Sequence, residues 1–220
     1  MDVLALIPAR GGSKGLPRKN LALLVGQPLL AWTVAAARES ECVTRAVVST
    51  DDDEIAEVTR RLGAKVLLRP PELATDETPM RAVVEHALAE LGRPDVLVLL
   101  QPTSPLRQAR HVDEAVRLLL ESGAEAVVSV VEVPHRFAPE SLMALDDGRL
   151  VPLGPAAARR QDKHPVVARN GPAVLALRAD RIGDDLYGGD CRPYVMRPED
   201  SVDVDEPFDL ELAEFLLARR

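Results

Sequence analysis

Apolar residues fall in short unbroken runs along this chain, and longer mixed segments separate the runs. Val3-Leu4-Ala5-Leu6-Ile7, Ala46-Val47-Val48 and Val96-Leu97-Val98-Leu99-Leu100 are the clearest runs. Runs this short, with no polar residue inside, predict strands buried on both faces. The strands expected are residues 2–8, 45–50, 65–68, 95–100, 125–131, 172–178 and 192–197. Segments 28–39, 51–62, 79–91, 108–122 and 207–218 read as helices. Pro28 and Pro79 sit at first turns, where a missing N–H is harmless. Asp51 to Glu54 put acids at a helix start, and Gly63 and Gly92 follow helix ends.

Strand and helix alternate, so a mostly parallel sheet covered by helices on both faces is the expected α/β architecture. Ligands of such sheets bind beyond the carboxyl ends of the strands. Loops 8–20, 69–78 and 101–107 fall there. The pattern changes at residues 134–168, which are rich in proline, suggest no long helix and carry a turn signal at Asp146-Asp147-Gly148. This stretch reads as an excursion from the sheet, a hairpin arm inserted in a single domain spanning 1–220.

With 220 residues the chain is long enough for an ample core. A net charge of −8 argues against a general nucleic-acid binder, and an aromatic content of 3% leaves little for base stacking. No apolar run approaches the roughly 18 residues of a membrane span. The N-terminus lacks the basic region and cleavage site of a signal peptide. Cys42 and Cys191 fit neither a zinc site nor a disulfide framework, and as free thiols they suggest the cytoplasm.

Against that acidic background, loop 8–20 gathers Arg10, Lys14, Arg18 and Lys19 around Gly11, Gly12 and Gly15. Glycines let backbone N–H groups approach an anion, and the cations neutralise it, which suits a triphosphate. The loop is neither GxxxxGK[ST] nor GxGxxG. In an extended Ser201-Val202-Asp203-Val204-Asp205, side chains two apart share a face. Asp203 and Asp205 then point together, as Mg²⁺ beside a phosphate would need. A cap for the following helix, or a plain acidic turn, reads equally well from spacing alone. Gln101-Pro102-Thr103-Ser104-Pro105-Leu106-Arg107 makes a stiff polar loop suited to sugar hydroxyls, or a plain turn capped by Ser104. His86, His111 and Trp32 read as structural residues on helices.

Taken together, Ile7 to Asn20, Arg69 to Asp76, Leu100 to Arg107 and Ser201 to Asp205 resemble the acylneuraminate cytidylyltransferases, over nearly the whole chain. The Lys-Gly-Leu-Pro-x-Lys-Asn run separates that family from the cytidylyltransferases for Kdo. The resemblance implies a Rossmann-like, three-layer nucleotidyltransferase that joins CTP and a 2-keto sugar acid into CMP-sugar and pyrophosphate, with Mg²⁺. Arg10 and Lys19 would bind the triphosphate and stabilise the leaving pyrophosphate, within a phosphate loop of Pro8, Ala9, Gly11, Gly12, Ser13 and Lys14. Asn20 would meet the ribose and Arg69 the cytosine, with Asp76 and Thr78 on the same loop. Gln101, Thr103, Ser104, Gln161 and Asn170 would line the sugar site, and Arg160 would take the sugar carboxylate. Asp203 and Asp205 would hold Mg²⁺, and one of them is a candidate base for the anomeric proton.

The arm 134–168 would reach a second subunit, giving a homodimer, with a tetramer as the other state left open. Arg169 stands one residue before Asn170 instead of two, and Val174 replaces a family tyrosine. These departures fall on the sugar side and leave Neu5Ac, KDN, legionaminic and pseudaminic acids all open. Another acidic keto-sugar such as Kdo, or a nucleotide-binding module without catalysis, are the other readings.

Overall fold

A computed structural model describes residues 1–13, 15–154 and 166–220. The first half carries strands β1 (Val3–Pro8), β2 (Leu23–Leu24), β3 (Gln27–Pro28), β4 (Arg45–Thr50), β5 (Lys65–Leu68) and β6 (Val96–Leu99). With them run helices α1 (Leu29–Glu39), α2 (Asp53–Arg61), α3 (Met80–Leu91) and α4 (Ala109–Ser122). The second half adds β7 (Ala126–Glu132), β8 (Met143–Asp146), β9 (Arg149–Pro152), β10 (Val167–Arg169), β11 (Leu175–Arg178) and β12 (Cys191–Met196), then α5 (Pro207–Leu217).

The large sheet runs β7-β11-β6-β1-β4-β5, with β12 on the other side of β7 and β10 also paired to β7. Strands β1, β4, β5 and β6 are mutually parallel, and β12 runs parallel to β7. The sheet is mostly parallel as expected, but β11 lies antiparallel between β6 and β7. Nothing local to residues 175–178 marks that reversal.

Alternation along β1 feeds two cores. Val3, Ala5 and Ile7 pack with Leu30 and Val34 of α1 and Val112 and Val116 of α4. Leu4 and Leu6 face the other way, toward Val84 and Ala87 of α3. All five are fully buried, which is why the strand carries no polar position. A third cluster joins Leu24, Leu29, Leu106, Val204 and Ala213 at one end of the sheet. It fastens the acidic segment 201–205 and α5 beside the phosphate loop. The arm contains the expected hairpin, β8 against β9, turning at Asp147 (φ +44°) and Gly148 (φ +76°).

The strand that would run continuously from β10 to β11 is broken. Arg169 pairs with Val130 and Leu175 with Val128, so five residues, 170–174, stand opposite Ser129 alone. This bulge projects at the carboxyl end of β6, among the three loops expected to carry ligands.

Candidate active site

The phosphate loop leaves β1 and is held at both ends. Asn20 is buried, and its Nδ2 donates to the Arg10 carbonyl (2.9 Å), closing the loop on itself. Gly11 N–H donates to Asp51 Oδ1 (3.1 Å). A Cβ on Gly11 would stand 2.6 Å from Asp52 Oδ2, and one on Gly15 would stand 2.5 Å from the Asp205 carbonyl oxygen. Glycine is required there for close approach rather than for a special φ. The Gly15 contact also seats the loop directly on the acidic segment.

Among the described residues of the loop, carboxylates hold Arg10, Arg18 and Lys19. Arg10 meets Asp76 Oδ1 (2.5 Å), which ties the loop to segment 69–78. Lys19 Nζ meets Asp205 Oδ1 (2.7 Å). Arg18, at φ +54°, meets Asp52 Oδ2 (2.7 Å) and Glu54. Asp52 also caps α2 by accepting from Ile55 N–H (2.9 Å). The sequence suggested the cap and missed the arginine.

Arg69 continues the β5 pairing through its N–H to the Thr50 carbonyl (2.7 Å). Its side chain is buried, and Nε and Nη2 have no hydrogen-bond partner. Burial lowers its affinity for the proton, the Asp51 carboxylate works against that, and the neighbouring Arg10 adds to it. Two unmet donors at a cleft wall are fitted to a ligand that brings acceptors.

Pro8, Arg10, Gly12, Ser13, Lys19 and Asn20 line one side of the cleft; Arg69, Gln101 and Thr103 line the rest. Pro102 and Met80 join them, and neither was singled out from the sequence. Ala9 is buried beneath the loop. Thr78 braces segment 69–78 through Thr75 (3.0 Å) and the Glu72 carbonyl (3.3 Å). Lys14, Arg160 and Gln161 lie outside the described residues.

The far wall is neutral, with Gln101 and Thr103 half-buried over a buried layer. Gln101 Nε2 donates to the Gly171 carbonyl (3.2 Å). Ser104 is fully buried against the bulge, with its hydroxyl 3.5 Å from the Asn170 carbonyl oxygen. Asn170 is buried too: Oδ1 accepts from Ser129 (2.6 Å), and Nδ2 donates to Ser201 (2.9 Å) and toward Met196 Sδ (3.3 Å). These contacts engage both ends of its amide. Asn170 and Ser104 therefore set the shape of the wall from beneath, and Gln101 and Thr103 face the cleft.

Val204 is buried and its N–H donates to the Thr103 carbonyl (2.7 Å), so Asp203 and Asp205 face away from the third core, as the alternation required. Asp203 Oδ1 is buried without a hydrogen-bond partner. Burial raises this carboxyl above its ordinary value and the Asp205 charge adds to that, while Thr103 and Lys19 oppose it. A carboxylate in that state is suited to a cation. Among the described residues no three His, Cys, Asp or Glu side chains form a metal cage. Mg²⁺ needs none, because it takes one or two carboxylates and keeps waters and phosphate oxygens. The donor set fits that ion.

A cation-bearing glycine loop at the carboxyl ends of parallel strands places this cleft where α/β folds take their ligands. Residues 4–203 match the cytidylyltransferase family, and the chain belongs to it. The N-acylneuraminate cytidylyltransferase of Escherichia coli is 35% identical over 96% of this chain and 51% of its own length. N-acylneuraminate cytidylyltransferase A of Danio rerio is 38% identical over 96% of this chain and 50% of its own. The chain thus spans about half the length of these relatives. CMP-N,N'-diacetyllegionaminic acid synthase of Legionella pneumophila is 37% identical over 99% of this chain and 97% of its own. The fold is shared with CMP:2-keto-3-deoxy-manno-octonic acid synthetase complexed with CTP, at TM-score 0.76 and 17% identity, covering 100% of this chain and 99% of that one. No helix among the described residues is long and apolar enough to cross a membrane.

Proposed function

We propose that this protein transfers CMP from CTP to the anomeric hydroxyl of a nonulosonic, sialic-type acid and releases pyrophosphate. The observation that carries this reading is the seating of the phosphate loop on the acidic segment, through Gly15 on the Asp205 backbone and Lys19 on the Asp205 carboxylate. A triphosphate held by Arg10, Lys19 and the loop N–H groups then lies between the two aspartates and the neutral wall at Gln101 and Thr103. Arg69 offers its unmet donors to the acceptors on the cytosine.

The acceptor hydroxyl oxygen attacks the α-phosphorus, and the new O–P bond forms as the bond to the bridging oxygen breaks. The pyrophosphate leaves with that electron pair, and the hydroxyl proton passes to a carboxylate of the Asp203–Asp205 pair. Arg10 and Lys19 face the charge that grows on the leaving group, where fixed cations lower the barrier. Asp203 and Asp205 would hold Mg²⁺, which supplies further neutralisation of phosphate charge when bound.

The hairpin of β8 and β9 exposes Leu145 and Leu150. The segment 134–168 that contains it is the proposed dimerisation arm, and Arg160 the proposed partner of the acceptor carboxylate, with Gln161 beside it. The half-buried free thiols of Cys42 and Cys191 suit a reducing cytoplasm.

The test is pyrophosphate release from CTP with Mg²⁺ in the presence of Neu5Ac, KDN, legionaminic acid, pseudaminic acid or Kdo. A preference of about 100-fold in kcat/KM for one nine-carbon acid is expected. Preference for Kdo would move the acceptor class. CTP binding with no release across the panel would overturn the catalytic reading.

A further inference from the structure

Arg107 lies at the end of the loop 101–107 and is 3% exposed. Among the described residues no carboxylate lies within ion-pair distance of it. Burial alone pushes its guanidinium down to about 9. A buried unpaired charge is costly unless its donors are met. The guanidinium engages three separate segments. Nη1 donates to the Gln101 carbonyl (3.1 Å) and the Ala173 carbonyl (2.8 Å). Nη2 donates to Thr33 Oγ1, which is fully buried in α1.

Those two carbonyls belong to the two halves of the neutral wall. Gln101 begins the polar loop and its side chain reaches the Gly171 carbonyl. Ala173 closes the bulge 170–174. A Cβ on Gly171 (φ +116°) would lie 2.9 Å from Ser104 Oγ, so the halves already touch with little space between them. A rigid planar fork can reach both carbonyls and a fixed anchor at once, whereas a single ammonium on a flexible stem cannot hold that spacing.

The geometry assigns Arg107 as a positioning residue that locks loop 101–107 to bulge 170–174 and so fixes the Gln101 amide against the acceptor. The assignment rests on the reading of that wall as the acceptor side. Arg107 touches neither reactant and acts through the wall alone.

Arg107→Met keeps an unbranched apolar stem about as far as the Nε position and removes every donor. It is expected to lower kcat/KM for the acceptor about 30-fold, mainly through the acceptor KM, while CTP affinity stays within about 3-fold. Arg107→Lys restores one donor and should recover part of that loss. Thr33→Val removes the anchor in α1 together with the long Thr33 Oγ1 donation to the Gln101 carbonyl (3.4 Å), at nearly constant volume, and should raise the acceptor KM by roughly 3- to 10-fold. It carries the test if Arg107→Met does not fold.

Amide hydrogen exchange of each variant that folds, without ligands, gives a readout independent of activity. Exchange should quicken in 101–107 and 170–174 together and stay unchanged in 8–20. Equal losses for CTP and acceptor, or unchanged exchange in both wall segments, would overturn the assignment. If the wild-type chain turns over no acidic keto-sugar, the functional reading fails, and the exchange result alone decides whether Arg107 is the lock.

Discussion

On the phosphate side of the cleft, cations are held by carboxylates near the surface. The Arg10–Asp76 side chains are about a third exposed (32% and 33%), and Asp205 beneath Lys19 is 70% exposed. On the proposed acceptor side, Asn170, Ser104, Ser129 and Arg107 are nearly sealed from solvent and bonded to neutral groups. Exposed ion pairs of the first kind add little to stability and break easily. A phosphate can take a carboxylate's place on Arg10 or Lys19 at small expense. Buried hydrogen bonds of the second kind are costly to leave unmade. On the proposed reading, one wall is suited to exchange partners with a ligand that arrives charged. The other is built to keep its shape around a ligand that must be recognised.

The contrast is broken hardest at Lys19. Lys19→Ala should lower kcat/KM by about 10²–10³, the usual loss on removing a fixed donor from developing charge. Its unfolding free energy should change by less than about 1 kcal/mol, because the pair to Asp205 is exposed on one side. Pyrophosphate release and a urea titration on the same preparation check both halves. A large loss of stability would make the phosphate wall structural after all.

Asn170→Ala is the counterpart on the other wall. It leaves the buried Ser129 hydroxyl without an acceptor for its proton, although that oxygen still accepts from Val174 N–H (2.9 Å), and it takes a donor from Ser201, which keeps its bond to the Arg197 carbonyl (2.7 Å). About 2 kcal/mol of stability should be lost, with CTP affinity unchanged. An unchanged urea midpoint would show that the wall is not held from beneath.

The same contrast governs what the sequence could disclose. Charge concentrated in loop 8–20 stands out in an acidic chain because the loop is contiguous, and the Asp203–Asp205 pair shows through simple alternation. Unbroken apolar runs gave β1, β4 and β6 nearly to the residue. The acceptor wall is assembled from Thr33, Gln101, Ser129 and Ala173, which only the closed sheet brings together. The reversal of β11 has no local signal, because it depends on which strands become neighbours, and Asn170-Gly171-Pro172 marks a break at the bulge without showing what it packs against. Arg107 reads as an unremarkable helix-flanking arginine until its surroundings are known. Asp52 shows half its role, the cap that is local, and hides its bond to Arg18.

Behind the acceptor wall, His111 extends the comparison to pH. Its Nδ1 accepts from Gln108 N–H (3.1 Å), and its Nε2 lies 3.5 Å from Asp200 Oδ2. Burial, joined by Arg110 and Arg220 and opposed by Asp200 and Glu114, pushes it down from 6.5 to about 4. The imidazole is therefore neutral in the folded chain and protonates more readily when unfolded. Its contribution is complete above pH 6.5 and is lost as pH falls toward 4. Between pH 7.5 and 5.5 the loss should be roughly 1.4 kcal/mol. Asp52 and Asp113 are held below 3.8 and titrate beneath that window. His111→Gln, which keeps an acceptor for Gln108, should flatten the dependence. Parallel curves for the two proteins would exclude His111 as its source.

The smallest effect lies in the frame of the phosphate wall. The turn between β2 and β3 has two residues, Val25 at φ +49° and Gly26 at φ +74°. Two-residue turns of that hand favour Asn-Gly, and a β-branched side chain in the left-handed region is strained. Val25 is half exposed, so no core contact compensates. Val25→Asn should raise stability by about 1 kcal/mol. Leu24, next in the chain, packs in the cluster that holds Val204 between the two aspartates, so the relief firms the support of Asp203 and Asp205 without touching either. Turnover should stay unchanged if the exchangeable part of that wall is confined to the ion pairs. A gain in melting temperature accompanied by slower pyrophosphate release would place the needed freedom in the frame, and the two walls would then differ less than their hydrogen bonds suggest.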